Sequence, residues 1–140
     1  MQSYRLLIDR ALKSQDIELW GNPDLVRDIV YVKDCTQIIV KAIQATCNGG
    51  IYNVVTGIGI SFREQIEGIV DVFCPNNKKS RILLKPNKPN SPQYIMDISK
   101  TKDELGYNPH YDYISYLNDM KNEMANEPFA LLWGRKNDYY

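Results

Sequence analysis

The sequence has no excess of either charge: 17 lysines and arginines balance 17 aspartates and glutamates, so the formal net charge is zero. Non-specific binding to nucleic acid needs a surplus of cations, and this balance argues against a nucleic-acid partner. Long apolar runs are also missing, because none approaches the roughly 20 residues that a membrane-spanning helix requires. We therefore expect neither a nucleic acid nor a membrane among the partners.

Cysteine and histidine are scarce. The three cysteines, Cys35, Cys47 and Cys74, form no C-x-x-C pair, and His110 is the only histidine. Such cysteines predict reduced thiols rather than a disulfide framework, and the N-terminus lacks the pattern of a signal peptide. We therefore expect a cytoplasmic protein. No metal site is predicted, and no Ser/His/Asp group can be built around the single histidine, which we expect at the surface.

Apolar segments with the period of strands alternate with segments that have the period of helices. Strands are predicted within 16–20, 29–32, 51–55 and 81–85, and helices within 4–13, 34–46, 61–73, 97–105 and 111–126. This alternation indicates the α/β class, but the strands are too few for a complete doubly wound domain. The sequence thus predicts a partial α/β fold, with few strands and about five helices, in a single domain over 1–140.

The octet Arg27-Asp28-Ile29-Val30-Tyr31-Val32-Lys33-Asp34 is the stretch around which the chain is organised. Its β-branched and aromatic centre predicts a strand, and Asp34 is expected to be the N-cap of the following helix. An arginine at the mouth of a strand can bind a phosphate or a carboxylate with two parallel hydrogen bonds. Alternatively, Arg27 pairs with Asp24, with Asp28 or with a helix end.

Other candidate motifs are weak when taken alone. The Gly57-Ile58-Gly59 sequence resembles part of a phosphate-binding loop, but the third glycine of a dinucleotide motif is missing, which favours a simple turn before a helix. The acidic residues Asp97, Asp103 and Glu104 fit helix capping and a helix first turn better than catalysis. The ten tyrosines indicate either a contact surface for a sugar or an aromatic seam in the core.

Four motifs occur together in a recognisable order. They are Arg27–Asp34, Tyr52–Gly57, the proline-rich loop 86–92 and the segment from Asp97 to Pro109. In this order they resemble the C-terminal, substrate-side part of the NAD-dependent epimerase/dehydratase family, the extended short-chain dehydrogenases that include UDP-glucose 4-epimerase. The resemblance implies that the chain has the C-terminal portion of that fold.

The resemblance also implies a substrate and three binding residues. By position, Arg27 contacts the diphosphate of a nucleotide-diphosphate sugar, and Asn53 lies near the same site. The family usually has a second phosphate-binding arginine in an Arg-Pro-Gly-Asp pattern, where this chain has Asn87-Lys88-Pro89-Asn90. Lys88 is expected to replace that arginine as a point charge, without its bidentate geometry.

The sequence departs from the family in its chemistry. It contains neither the Gly-x-x-Gly-x-x-Gly turn that binds NAD nor a Tyr-x-x-x-Lys pair, whose tyrosine is the family's base. We therefore predict no catalytic and no cofactor-binding residues in this chain, and an absent N-terminal Rossmann portion; NAD is implied only for a full-length parent.

Two functions follow from this comparison. The first is the substrate-binding C-terminal portion of a nucleotide-sugar epimerase or dehydratase, inactive without its NAD-binding half. The alternative is a stand-alone, non-catalytic binding or oligomerisation module. In either case we expect self-association, because a domain cut from its neighbour leaves apolar surface and a strand edge exposed.

Overall fold

The computed structural model describes residues 3–46 and 49–126. Within these ranges the chain forms five helices and four short strands. In order, they are α1 (Tyr4–Leu12), β1 (Ile17–Trp20), β2 (Val26–Asp28), α2 (Val32–Gln44), β3 (Gly59–Ser61), α3 (Phe62–Phe73), β4 (Ile82–Lys85), α4 (Ser99–Leu105) and α5 (Tyr113–Asn126). The predicted α/β class, with few strands and about five helices, is confirmed.

The strands form two separate pairs. Strands β1 and β4 run parallel, with Ile17 opposite Ile82 and Trp20 opposite Lys85. Strands β2 and β3 run antiparallel, with Arg27 opposite Ile60. On its other side, Arg27 forms an isolated bridge with Tyr94. Strands were correctly predicted near 16–20 and 81–85, and the sequence did not reveal that the backbone of Arg27 is paired on both sides.

Helix α3 is the centre of the main core. Its N-terminus has a capping box, in which the Ser61 hydroxyl accepts the Glu64 N–H while the Glu64 carboxylate accepts the Ser61 N–H. Helices α1 and α5 and strand β1 pack around it. A Cβ atom on Gly68 would lie 2.8 Å from the Tyr113 ring, so glycine allows α5 to approach α3 closely. This packing holds β3 and β2 at one end of α3.

A second, smaller core lies between α2 and α4. It consists of the buried side chains of Ile38, Val55, Ile98, Leu105 and Tyr107. Helix α4 ends at Gly106, whose φ of 63° is in the left-handed region that glycine adopts without steric cost. The predicted end of this helix at the Leu-Gly pair is therefore confirmed.

The strand predicted over 29–32 and the predicted N-cap at Asp34 are both wrong. Strand β2 ends at Asp28, and helix α2 begins at Val32 with Tyr31, not Asp34, in the N-cap position. The strand ends because its partner β3 pairs with it only as far as Asp28. Asp34 lies inside the first helical turn, where its buried carboxylate accepts the main-chain N–H groups of His110 and Tyr111 at 2.9 and 3.2 Å.

The strand predicted over 51–55 is also absent, and a short strand forms instead at Gly59–Ser61. The 51–55 segment has no ladder partner among the described residues. It is held by side chains: the Thr101 hydroxyl donates to the Asn53 carbonyl at 3.0 Å. Of its apolar residues, Val55 is buried in the smaller core and Tyr52 packs against that core, whereas Ile51 and Val54 are exposed.

The described cysteines, Cys35 and Cys74, are free thiols, while Cys47 lies outside the described residues. Cys74 is buried, and its sulfur accepts the main-chain N–H of Ser80 at 3.3 Å. In the ranges described, no helix has the length and apolar character needed to cross a membrane.

Candidate functional site

A pocket of about 380 Å³ opens beside β2, and we call it the Arg27 pocket. Its walls come from β2 and the residues after it, from the 54–55 segment, and from the 94–96 segment. Aromatic side chains of α1 and α5 complete it. The lining residues are Tyr4, Arg27, Asp28, Ile29, Val30, Val54, Val55, Tyr94, Met96 and Tyr116. The pocket therefore combines a guanidinium with mostly apolar and aromatic walls.

The backbone of Arg27 is fixed on both sides, by Ile60 in β3 and by Tyr94. Its side chain is half-buried, and its Nη2 atom lies 3.4 Å from the Oε1 atom of Gln65 on helix α3. Two acidic partners considered from the sequence are engaged elsewhere. Asp24 lies 3.6 Å from the Arg63 guanidinium, and the Asp28 carboxylate binds main-chain and hydroxyl groups of residues 56–57.

Asn53 borders this pocket but does not line it. Its side chain is exposed, and its Nδ2 atom donates to the Asp97 carbonyl at 2.7 Å. The next residue, Val54, is part of the pocket wall. The structure thus brings Asn53 to the edge of the Arg27 pocket, as a residue that ties together two of the segments around it.

Lys88 lies elsewhere, over the ring of Trp20 at the end of the parallel strand pair. Its Nζ atom is 5.3 Å from the ring centroid, a cation–π distance. The proline-rich loop that carries it is anchored, because the Asn22 N–H donates to the Asn90 side chain at 2.8 Å. Lys88 is not among the residues that line the Arg27 pocket. Of the three predicted site residues, Arg27 lines the pocket, Asn53 directly precedes a residue of its wall, and Lys88 is not part of it.

The Gly57-Ile58-Gly59 turn does not fit a pyrophosphate. The N–H groups of Thr56 and Gly57 donate to the Asp28 carboxylate at 2.9 and 2.8 Å, so an acidic group already occupies the donors that a phosphate would need. A Cβ atom on Gly59 would lie 2.5 Å from the Ile95 side chain, which fills the space beside the turn. These residues do not fit NAD, and the interpretation as a turn is supported.

Sequence reasoning missed a buried hydrogen-bond chain behind Arg27. The hydroxyls of Tyr4 and Tyr113 are 2.6 Å apart, and the Tyr113 hydroxyl donates to the main-chain carbonyl of Gln65 at 2.9 Å. Burial raises the pKa of both tyrosines above the usual value of 10, so both hydroxyls stay protonated. No local sequence pattern marks these residues, because they lie on α1, α3 and α5 and meet only in the folded chain.

The remaining candidate residues, Asp97 and His110, contact neighbouring groups of the fold. The Asp97 carboxylate accepts the N–H and hydroxyl of Ser99, and these hydrogen bonds lower the pKa of Asp97. Asp97 thus accepts the first N–H of α4 from the position before the N-cap, Ile98, which has no side-chain cap. The predicted first-turn role is wrong for Asp103 and Glu104, because both lie towards the C-terminal end of α4, whose first turn has no acidic residue. His110 is exposed, with Nδ1 3.2 Å from the Gln37 amide. Across 3–46 and 49–126, no group of three or more His, Cys, Asp or Glu side chains is placed to hold a metal ion.

Several tyrosines are buried or pack ring against ring, as expected for an aromatic seam in the core. Tyr107 is buried in the smaller core and Tyr113 in the main core. The Tyr31 ring stacks on Tyr116 with centroids 4.7 Å apart and meets Tyr111 edge-on at 5.0 Å. The side chains of Tyr31, Tyr111, Tyr113 and Tyr116 line a second pocket of about 360 Å³, which shares Tyr116 with the Arg27 pocket.

Comparison with known proteins agrees with this fold. The profile of the NAD dependent epimerase/dehydratase family matches residues 2–55. The chain is 30% identical to a dTDP-glucose 4,6-dehydratase of Xanthomonas campestris pv. campestris (strain B100), an alignment that covers 77% of this chain and 33% of that protein. The chain thus spans about a third of the length of the curated relatives it matches.

Solved structures extend the agreement to most of the chain. UDP-glucose 4-epimerase of Thermotoga maritima, solved with UDP-glucose, superposes with a TM-score of 0.72 and 22% identity, over 87% of this chain and 38% of the epimerase. UDP-glucuronic acid 4-epimerase of Bacillus cereus, solved with UDP-glucuronic acid and NAD, superposes with a TM-score of 0.73 and 22% identity. The match covers 90% of this chain and 40% of that epimerase. The chain therefore resembles part of the NAD-dependent epimerase/dehydratase family. The family profile matches residues 2–55, and the fold agrees over most of the chain.

Proposed function

We propose that the chain, residues 1–140, is a single substrate-binding domain that binds the diphosphate of a nucleotide-diphosphate sugar. In this proposal it is the C-terminal, substrate-side portion of a nucleotide-sugar epimerase or dehydratase that resembles UDP-glucose 4-epimerase. The observation that carries the proposal is the position of Arg27, half-buried in the wall of a pocket large enough for part of such a ligand. The names of the relatives support the choice of ligand, because dTDP-glucose or UDP-sugars occur in them.

The surroundings of Arg27 suit a phosphate. Backbone pairing on both sides holds the main chain of Arg27, so its backbone has little conformational entropy to lose when the ligand binds. The apolar walls reduce the local dielectric and strengthen a charge-assisted hydrogen bond. Gln65, a neutral acceptor, contacts the guanidinium without cancelling its charge. These features favour a bidentate contact with two phosphate oxygens.

Asn53 and Lys88 have supporting roles in the proposal. Asn53 keeps an Oδ1 acceptor and a second amide hydrogen at the pocket edge, while its hydrogen bond to Asp97 holds the two segments together. Lys88 and the Trp20 ring place a cation and an aromatic face side by side. That combination suits a second contact with the nucleotide, either to phosphate or to the face of a base.

The proposal assigns no catalytic residue to this chain and expects no turnover without an NAD-binding half. Hydride chemistry requires a bound nicotinamide and a base, and the sequence contains neither the glycine-rich turn nor a Tyr-x-x-x-Lys pair. We also propose a cytoplasmic location, because the two described cysteines are free thiols.

Exposed apolar side chains favour the second candidate, a binding or oligomerisation module, and its self-association. Ile39 and Ile43 on α2 are 60% and 79% exposed, and Ile51 is 90% exposed. Such a patch normally contacts another protein surface. Size exclusion with light scattering should report a dimer or larger species. A monomer whose size does not change with concentration, and which binds no hydrophobic dye, would rule out self-association through this surface.

Calorimetric titration of the chain with UDP-glucose and dTDP-glucose tests the main proposal. Arg27→Ala should weaken binding by about 2–4 kcal/mol, because charge-assisted hydrogen bonds contribute roughly 1.5–3 kcal/mol each and are not additive. Arg27→Lys should recover only part of this loss, since an ammonium lacks the planar fork. Arg63→Ala, which removes an arginine whose side chain is 41% exposed and lies 3.6 Å from Asp24, is the matched control.

The alternative role of Arg27 predicts the opposite pattern. If Arg27 only stabilises the fold, Arg27→Ala lowers the melting temperature and leaves the dissociation constant of the nucleotide sugar unchanged. That result, or equal effects of Arg27→Ala and Arg63→Ala on binding, would disprove the proposed phosphate contact.

A further inference from the structure

Gln65 is a buried polar residue directly behind Arg27. It lies on α3, and only 1% of its surface is exposed. Its Nε2 atom donates to the Ile60 carbonyl at 2.9 Å, and its Oε1 atom lies 3.4 Å from Nη2 of Arg27. Its main-chain carbonyl accepts the Tyr113 hydroxyl at 2.9 Å. A buried amide with both ends engaged has a fixed orientation.

The orientation of this amide follows from its partners. The Ile60 carbonyl can only accept a hydrogen bond, so the NH₂ group of Gln65 must face it. The Oε1 atom must then face the opposite side, where the guanidinium, which can only donate, lies. Ile60 is also the residue opposite Arg27 across the β2–β3 pair. Gln65 is therefore linked to Arg27 in two ways. Its Oε1 atom contacts the guanidinium directly, and its Nε2 atom binds the carbonyl of Ile60, the residue that pairs with Arg27 across β2 and β3.

We propose that Gln65 is a positioning residue for ligand binding: its Oε1 atom fixes the orientation of the Arg27 guanidinium in the wall of the Arg27 pocket. This inference rests on the proposed function, in which Arg27 binds the diphosphate. A neutral amide is suited to the task, because it accepts a hydrogen bond from the guanidinium without adding a negative charge beside it. A carboxylate at the same place would compete with the phosphate for the guanidinium.

The first test measures the order of the Arg27 side chain in the unmodified chain. Nitrogen-15 relaxation at the arginine Nε atoms reports rapid motion of each guanidinium. We expect Arg27 to be more ordered than Arg63, whose side chain is 41% exposed. Gln65→Met, of similar volume and without an acceptor oxygen, should bring the order of Arg27 close to that of Arg63. An Arg27 that is as mobile as Arg63 in the unmodified chain would overturn the inference, even if the variant does not fold.

The second test is a double-mutant cycle on the affinity for UDP-glucose. Gln65→Met should weaken binding about tenfold, the loss of roughly one hydrogen bond to a charged group, and should have no further effect when Arg27 is already alanine. Gln65→Glu should also weaken binding, since its carboxylate would occupy the guanidinium. A role confined to stability would lower the melting temperature without changing the dissociation constant.

The outcomes separate this inference from the proposed function. If Arg27→Ala does not change the affinity, the phosphate contact itself is wrong. If Arg27→Ala weakens binding but Gln65→Met does not, or if Gln65→Met is equally harmful in the Arg27→Ala background, Arg27 remains a ligand contact and only the role of Gln65 is refuted.

Discussion

Oδ1 of Asp28 accepts two hydrogen bonds from Thr56, one from the main-chain N–H at 2.9 Å and one from the hydroxyl at 2.6 Å. Its Oδ2 atom accepts the N–H of Gly57 at 2.8 Å. This carboxylate, which is only 2% exposed, therefore ties the end of β2 to the turn before β3. Arg27, the preceding residue, is positioned in part by this link.

Replacing Asp28 by asparagine should destabilise the fold by about 2–4 kcal/mol, because a buried network loses its charge and one acceptor. An asparagine oxygen can serve Thr56, but its NH₂ group would then face the Gly57 N–H, which is also a donor. Urea unfolding measures the change. Asp24→Asn, at an exposed aspartate paired only loosely with Arg63, is the control and should change stability by no more than about 0.5 kcal/mol. Equal effects of the two changes would contradict the structural role of Asp28.

Tyr107 has a hydroxyl that is buried without a hydrogen-bond partner in the part of the chain that the structure describes. Burial is the main reason that the pKa of Tyr107 rises to about 12. Removing an unsatisfied buried hydroxyl relieves its desolvation cost, so Tyr107→Phe should be neutral or should stabilise the fold by up to about 1 kcal/mol.

Tyr113→Phe is the matched comparison, because the Tyr113 hydroxyl is bonded to both Tyr4 and Gln65. It should cost about 1–2 kcal/mol, since it leaves the buried Gln65 carbonyl without this donor. Thermal melts of both variants decide the point. A clear loss of stability in Tyr107→Phe would mean that its hydroxyl has a partner.

The capping box of α3 predicts a pH-dependent contribution to stability. Hydrogen bonds from the Ser61 hydroxyl, and then from the Ser61 N–H, lower the pKa of Glu64 below its usual 4.5. Because the folded pKa is the lower one, this contribution is present above pH 4.5 and is lost as the pH falls through the folded pKa.

Glu64→Gln keeps the shape of the cap without the charge. It should lower the melting temperature at pH 7, and the difference from the unmodified chain should disappear towards pH 3. Glu67→Gln, an exposed change on the same helix but outside the cap, is the control. A difference between Glu64→Gln and the unmodified chain that is the same at both pH values would exclude a role for the carboxylate charge.

We expect the chain not to bind NAD. The N–H groups at the Gly57 turn already donate to Asp28, and a carboxylate beside the turn would repel a pyrophosphate. Calorimetric titration with NAD and with NADH should give no heat of binding, whereas UDP-glucose serves as the positive comparison. A micromolar dissociation constant for either dinucleotide would show that this chain has a cofactor site of its own.

The local elements were predictable because their signals lie within a few residues of each other. Ser61 and Glu64 form a capping box from a three-residue spacing, and Gly106 ends α4 because glycine adopts a positive φ without steric cost. The four short motifs were enough to indicate the family, and the fold of solved epimerases agrees with that resemblance.

The sequence alone thus determined the α/β class, most helix positions and Arg27 as the leading site candidate. Only the tertiary structure decided where β2 and β3 lie, because a strand requires a partner: residues 51–55 have strand composition but no ladder among the described residues, whereas Gly59–Ser61 pairs with β2. The surroundings of Arg27 were equally inaccessible. Gln65, Tyr4 and Tyr94 are distant from Arg27 in sequence and surround it only in the folded chain. Residue spacing in the sequence does not indicate such long-range contacts.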